Sequence, residues 1–237
     1  MNDMSFKLIY FWGIVVLGCF FSGPVSAQDS SESNAVASPP ATPVALKIKG
    51  VDADNHTVVI NKPGVVTLLL GTSEDSGDAA RVAGKAMYPF QGRLDFQLMV
   101  IVDLRDSIAS WVPSIVLDKM RSNLDSEAIE LKPYYLKNNN KGNPRESSHV
   151  FADFNGSIFP QFGWPDSSEN LRGILFGGNG LEIKRWSKIQ NMTELQNDVR
   201  MEIEALDATK TGKVQPHKLP GTTSVLRASP VNPSAAP

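Results

Sequence analysis

Three side chains able to ligate a metal or move a proton, Asp103, His149 and Asp153, stand at or near the ends of strand-like segments. Side chains repeat every two residues along a strand, so His149 and Asp153 are expected on one face with Phe151 between them. Two such groups do not complete a ligand set. The alternative is that Asp103 and Asp153 terminate strands and bond to loop backbone. Asp103, Arg105 and Asp106 follow an apolar run, in the place beyond strand carboxyl ends where open α/β sheets hold ligands. They read as a charged recognition patch or as a local ion pair that orients the loop. Thr72 and Ser73 offer hydroxyl nucleophiles, but neither a G-x-S-x-G elbow nor an adjacent histidine accompanies them. Capping the next helix accounts for both. Phe162 and Trp164 lie in an aromatic, proline-rich stretch. Exposed, they would anchor a peptide, a sugar or a protein; folded back, they close one end of a sheet.

The elements that would position these groups follow from periodicity. Val44 to Ile48 alternates in part, His56 to Ile60 is β-branched, and Asp54-Asn55 between them signals a turn, so an antiparallel pair is expected. Val65 to Leu70 and Phe96 to Val102 run apolar but for Thr67 and Gln97, as strands buried on both faces do. Between them Ala79, Val82, Ala83, Ala86, Met87 and Phe90 form a helical stripe, capped by Thr72 or Ser73 and with Glu74, Asp75 and Asp78 near its positive end. Leu117, Met120, Leu124, Ala128 and Leu131 mark a second helix, starting near Pro113. His149 to Phe154 is strand-like. Leu171 to Phe176 and Leu181 to Trp186 form a hairpin through a glycine-rich turn, and Met192, Leu195, Val199, Ile203 and Leu206 a last helix. Two buried strands joined through a helix imply a parallel pair, and the hairpin adds antiparallel strands.

The chain has 237 residues, 41% of them hydrophobic and 20% charged, with a formal net charge of -2. That composition suits one core-forming domain and gives no electrostatic case for nucleic acid. Lys7, the apolar run from Leu8 to Phe21 and Val25-Ser26-Ala27 read as a secretory signal, residues 1–27, with the mature start at Gln28. The apolar run of roughly 14 residues is shorter than the ~20 of a spanning helix, so stable membrane insertion after cleavage is not expected. An uncleaved anchor and lipid attachment at Cys19 are the alternatives. Cys19 is the one cysteine, and removing the signal would leave none for a disulfide, a thiolate ligand or a nucleophile. Residues 28–43 and 209–237 read as disordered, leaving a folded unit at 44–208. Asn55-His56-Thr57, Asn155-Gly156-Ser157 and Asn191-Met192-Thr193 match the N-glycosylation pattern, which counts only in a eukaryotic secretory pathway.

The order of elements resembles the thioredoxin-like fold, and its redoxin branch in particular. Val65 to Thr72 looks like the strand that leads into that family's active-site helix. Asp153-Phe154-Asn155-Gly156, Gln161-Phe162-Gly163-Trp164 and the stretch from Ile174 to Ile183 are similar to the C-terminal half of exported redoxins. The resemblance implies an α/β fold: a thioredoxin-like mixed sheet flanked by helices, with an extra N-terminal β-hairpin. It also places a degenerate redox site at Gly71, Thr72, Ser73, Glu74, Asp75 and Arg172. The family's C-x-x-C pair has no counterpart there, and Leu171-Arg172-Gly173 lacks the family's cis-proline. Glu74, Asp75 and Asp78 would oppose a thiolate in any case. The sequence therefore implies an exported, periplasmic or secreted, non-catalytic binding or structural module. A peptide or protein partner and no cofactor are expected, with Asp103, Arg105, Asp106, Phe162 and Trp164 as candidate contacts. The rival is a non-redox enzyme or metal carrier built on Asp103, His149 and Asp153.

Overall fold

The computed structural model describes residue 48 and residues 50–164 and 169–212. The signal, the linker, Cys19, residues 44–47 of the first arm and most of the expected tail lie outside the described residues. Eight elements follow in order: β1 (Val66–Ser73), α1 (Gly77–Ala86), β2 (Phe96–Asp103), α2 (Pro113–Lys137), β3 (His149–Asp153), β4 (Arg172–Phe176), β5 (Glu182–Trp186) and α3 (Met192–Lys210). The strands form one sheet in the order β3-β2-β1-β4-β5. β1 pairs parallel with β2, as β2 does with β3, while β4 lies antiparallel to both β1 and β5. This is the mixed sheet and element order of a thioredoxin-like fold.

The largely apolar run of β1 has its reason in this arrangement. The strand is central, all eight of its residues are buried, and each side chain meets a packed layer on one face or the other. On one face Val66, Leu68 and Leu70 pack with Ala83 and Met87 at α1 and with Leu195 and Val199 of α3. Met120 and Leu124 of α2 close over Val102 on the same side. No α-helix covers the other face among the described residues; a 3-10 turn, Phe159–Phe162, lies on it. There Leu69, Met99, Ile101, Phe151 and Ile174 lie beneath Ile48, Val58 and Ile60 and beneath Phe159, Phe162 and Trp164. Burial of this kind stabilises by about 1.5–3 kcal/mol for each large side chain. The edge strand β5 instead carries Lys184 and Arg185, a charge pattern that blunts edge pairing.

The segment preceding β1 folds back on itself. Ile48 N–H donates to Val58 O at 3.4 Å and Asp52 N–H to His56 O at 3.0 Å, with Asn55 left-handed at φ 65° between the arms. Of the described residues there, Val59 alone has bridge geometry.

Two elements, α1 and α3, differ from expectation. The buried side of α1 is Ala80, Ala83 and Gly84, and Val82 faces solvent, because the helix is rotated to seat Ala80 and Met87 against β1. The start of α1 is Ser76, since Thr72 and Ser73 are still extended within β1. At the other end, α3 runs to Lys210, into the stretch expected to be tail, and Asn191 caps its start by accepting from Thr193 and Glu194 N–H.

Candidate functional site

Parallel strands β1, β2 and β3 end together, and their carboxyl ends hold most of the residues singled out in the sequence. Ser73, Asp103 and Asp153 are the last residues of the three strands, in register side by side. The sheet thus brings Asp103 and Asp153 together. It does not bring His149 to them: His149 opens β3, four residues and about 13 Å up the strand. An Asp103–His149–Asp153 centre is therefore excluded. Strand alternation does put His149 and Asp153 on one face, but a shared face does not bring residues i and i+4 within ligand distance.

Each of the two aspartates has a structural occupation. Asp153 is 1% exposed. Its Oδ1 accepts Ser157 N–H at 2.8 Å, and its Oδ2 accepts the N–H groups of Ile158 and Phe159 at 2.9 Å each. The carboxylate folds the chain after β3 back toward the sheet. Asp103 accepts Arg105 N–H at 3.2 Å and Arg105 Nε at 3.0 Å, and its Oδ2 lies 3.0 Å from the second guanidinium nitrogen. The Asp103 hydrogen bond pushes the Arg105 guanidinium further up its ordinary range, against the opposing pull of burial. Gly156 has to be glycine here: its φ is 70°, and a Cβ would stand 2.9 Å from the Arg105 guanidinium. The geometry is that of an ion pair orienting the loop, while Asp106 faces solvent.

Where a redoxin would carry sulfur, the turn from β1 to α1 carries hydroxyls. Thr72 Oγ1 and Ser76 Oγ are 2.9 Å apart, Ser73 N–H donates to Ser76 Oγ at 2.9 Å, and Ser73 Oγ lies 3.4 Å from the same atom. All three residues are buried. Thr72 and Ser73 do not cap α1. Ser76 stands at the cap position and turns its hydroxyl back to the strand, so the cluster ties β1 to the helix start. Gly71 beside it leaves room for Trp164, whose Cζ3 would be 2.6 Å from a Cβ at that position. Arg172 of β4 lies opposite Gly71 and is half-buried. As surface anchors, Phe162 and Trp164 are corrected. Trp164 is 4% exposed, and both rings pack in the core, 5.7 Å apart by centroid.

What the sequence reading missed lies just beyond β2. A short 3-10 turn, Ile108–Trp111, presents Ile108 at 76% exposure and Trp111 at 85%, with Ile115 of α2 also exposed nearby in the chain. Ser107 fixes this turn to the β1–α1 junction by donating to Glu74 Oε2 at 2.7 Å. Glu74, Asp75, Asp78 and Asp106 around it are all exposed. The signal was available: Ile108 and Trp111 are apolar residues in a loop, outside any periodic stripe.

A separate groove of about 330 Å³ opens between α1 and α2, floored by Leu98, Val100 and Val150. On its wall, burial first and then neighbouring Glu130 push the Glu127 carboxyl upward.

No family model matches the chain, and no curated protein is similar to it. Several solved structures are similar to it over about two thirds of its length. StoA from Bacillus subtilis is 12% identical, with 67% of this chain and 98% of that one covered and a TM-score of 0.41. A thioredoxin-family thiol:disulfide interchange protein from Chlorobium tepidum is 9% identical, with coverage of 70% and 99% and a TM-score of 0.44. A secreted disulfide oxidoreductase from Mycobacterium tuberculosis is 10% identical, with coverage of 68% and 96% and a TM-score of 0.39. The disulfide chemistry in those names belongs to those proteins. This chain has one cysteine, Cys19, so it cannot form a C-x-x-C pair.

Proposed function

We propose that this thioredoxin-like chain is an exported, non-catalytic binding protein that docks a basic, apolar peptide segment of a partner at the carboxyl end of its sheet. The observation that carries this reading is Trp111, 85% exposed on a turn that Ser107 ties to Glu74. A large aromatic ring left in water beside Ile108 is a ready anchor, since tryptophan supplies much of the binding energy where it is buried by a partner. Its surroundings select the partner's charge. Glu74, Asp75 and Asp106 are exposed carboxylates, and the cation nearest in sequence to that loop, Arg105, is committed to Asp103. A lysine- or arginine-bearing segment with an apolar side chain matches that pattern. The hydroxyl cluster of Thr72, Ser73 and Ser76 supports a non-catalytic reading, because these groups bond to one another, tying β1 to the start of α1. Export rests on the signal-like N-terminus.

A displayed library of random peptides, panned against the purified protein, tests the reading. Enrichment of basic peptides carrying an aromatic or aliphatic residue is expected, lost on Trp111→Ala and weakened on Glu74→Gln with Asp75→Asn. Enrichment of acidic peptides, or binding indifferent to Trp111, would refute it. Detection of turnover that depends on Ser73 or Ser76 would refute the non-catalytic part.

A further inference from the structure

At the opposite end of β3 three donor groups that the function above does not use meet around one oxygen. Residues 52–56 form a tight turn, in which Asp52 Oδ1 accepts the N–H groups of Asp54 at 2.9 Å and His56 at 2.8 Å. Those two bonds aim the second oxygen, Oδ2, at two imidazoles. It lies 2.8 Å from Nδ1 of His149 and 3.5 Å from Nδ1 of His56. One ligand atom from each residue lies within 4.8 Å of the other two.

We propose that Asp52, His56 and His149 form a binding site for a divalent transition metal, with zinc the ion that suits them best. Zinc takes imidazole nitrogen and carboxylate oxygen at about 2.0–2.2 Å, which sets tetrahedral ligand atoms about 3.4 Å apart. The two separations to Asp52 Oδ2 bracket that spacing. Two nitrogens and one oxygen favour a borderline ion over calcium or magnesium, which take oxygen alone. Burial and exposure are divided as such a site requires. The Asp52 side chain is 1% exposed and supplies a fixed charge, whereas that of His56 is 63% exposed, so an ion can enter and a fourth position stays open to water.

The surroundings hold this turn in place independently of any ion. Ala53 N–H donates to Val150 O at 2.8 Å, pinning the turn to β3 next to His149. Arg121 of α2 donates to Ala53 O at 2.7 Å, and Arg145 grips Asp54 through two bonds of 2.7 and 2.8 Å. A ligand set braced in this way from the next layer binds without having to order itself first. The alternative role, a purely structural imidazole–carboxylate pair, needs His149 alone and gives His56 no task.

Zn2+ titrated into the untagged, purified protein tests the site, with Co2+ as a spectroscopic probe. One equivalent is expected to bind, and the Co2+ complex to show the visible bands of tetrahedral nitrogen and oxygen coordination. His56→Ala, with its exposed side chain, is expected to leave the melting of the metal-free protein unchanged while lowering affinity roughly 100-fold. Asp52→Asn and His149→Ala are expected to abolish stoichiometric uptake. Changing His217, the third histidine, to alanine is expected to leave uptake intact. Absence of stoichiometric binding overturns the proposal. So does uptake that survives His56→Ala and His149→Ala, or that disappears only on Cys19→Ser. Because Trp111 is at the other end of the sheet, either result leaves peptide docking to be judged by its own test.

Discussion

The two ends of the parallel strands treat their polar groups in opposite ways. At the carboxyl end, charges and hydroxyls are turned inward: Asp153 holds three backbone N–H groups, Asp103 holds Arg105, and Thr72, Ser73 and Ser76 bond to one another. At the amino end of β3, Asp52 meets two imidazoles, one of them largely in water. A fold can thus keep its usual ligand-bearing end and fill it with structural bonds, while its chemistry-capable groups gather elsewhere. What separates the ends is the kind of partner: backbone N–H groups, a guanidinium and hydroxyls at one, two imidazoles at the other.

That contrast can be broken by substitution. The largest effect is expected from Asp153→Ala, which strands three N–H groups beneath the loop after β3. Loss of about 3–5 kcal/mol in urea unfolding is expected, whereas a loss below about 1 kcal/mol would mean that Asp153 is not structural. Gly71→Ala comes next. It drives a methyl group into Trp164 and is expected to cost about 1–3 kcal/mol, partly recovered in a Gly71→Ala, Trp164→Phe double variant.

Acid should sharpen the picture in a third place, where Arg93 and Lys210 hold Asp95. Burial alone would raise this carboxyl, but hydrogen bonds from Arg93 and Lys210 outweigh it and bring it from an ordinary 3.8 down to about 2. A depressed acid stabilises the fold above its unfolded value. That stability, about 2 kcal/mol, is expected to be lost as pH falls from about 4 to 2, and Arg93→Met should reduce the effect to the part that Lys210 supplies. At the exposed turn, Trp111→Ala is expected to change stability by less than about 0.5 kcal/mol, since the ring contributes little to the core. Glu127→Gln is the smallest change, a gain of a few tenths of a kcal/mol. It should appear above pH 4.5 and vanish below it, because burial disfavours only the ionised form.

Periodicity made the sheet readable. The largely apolar runs matched β1 and β2, and the stripe Met120, Leu124, Ala128 and Leu131 matched the buried side of α2. The site was less readable, because a site depends on contacts between residues distant in sequence. Nothing near His149 in the chain points to Asp52, 97 positions away. Strand alternation put His149 on the face of Asp153, but distance along the strand separated them. Trp164 could be read as an anchor or as a core residue, and its packing against Gly71 makes it the latter. Trp111 was visible as an aromatic outside any stripe, and only its exposure gives it a role.

The face without an α-helix carries a consequence for the order of folding. Its cover comes from residues 48–60 and 158–164, which flank β1, α1, β2, α2 and β3 in sequence. During synthesis the first half of that cover must wait, uncovered and uncovering, until β3 emerges and Val150 can accept Ala53 N–H. Before then only β1, α1, β2 and α2 are available, so the clasp between the start of the domain and its middle closes as β3 is added, ahead of β4, β5 and α3. Amide exchange should follow the same division, with Ile48 and Val58 opening at lower free energy than Leu68 and Leu70.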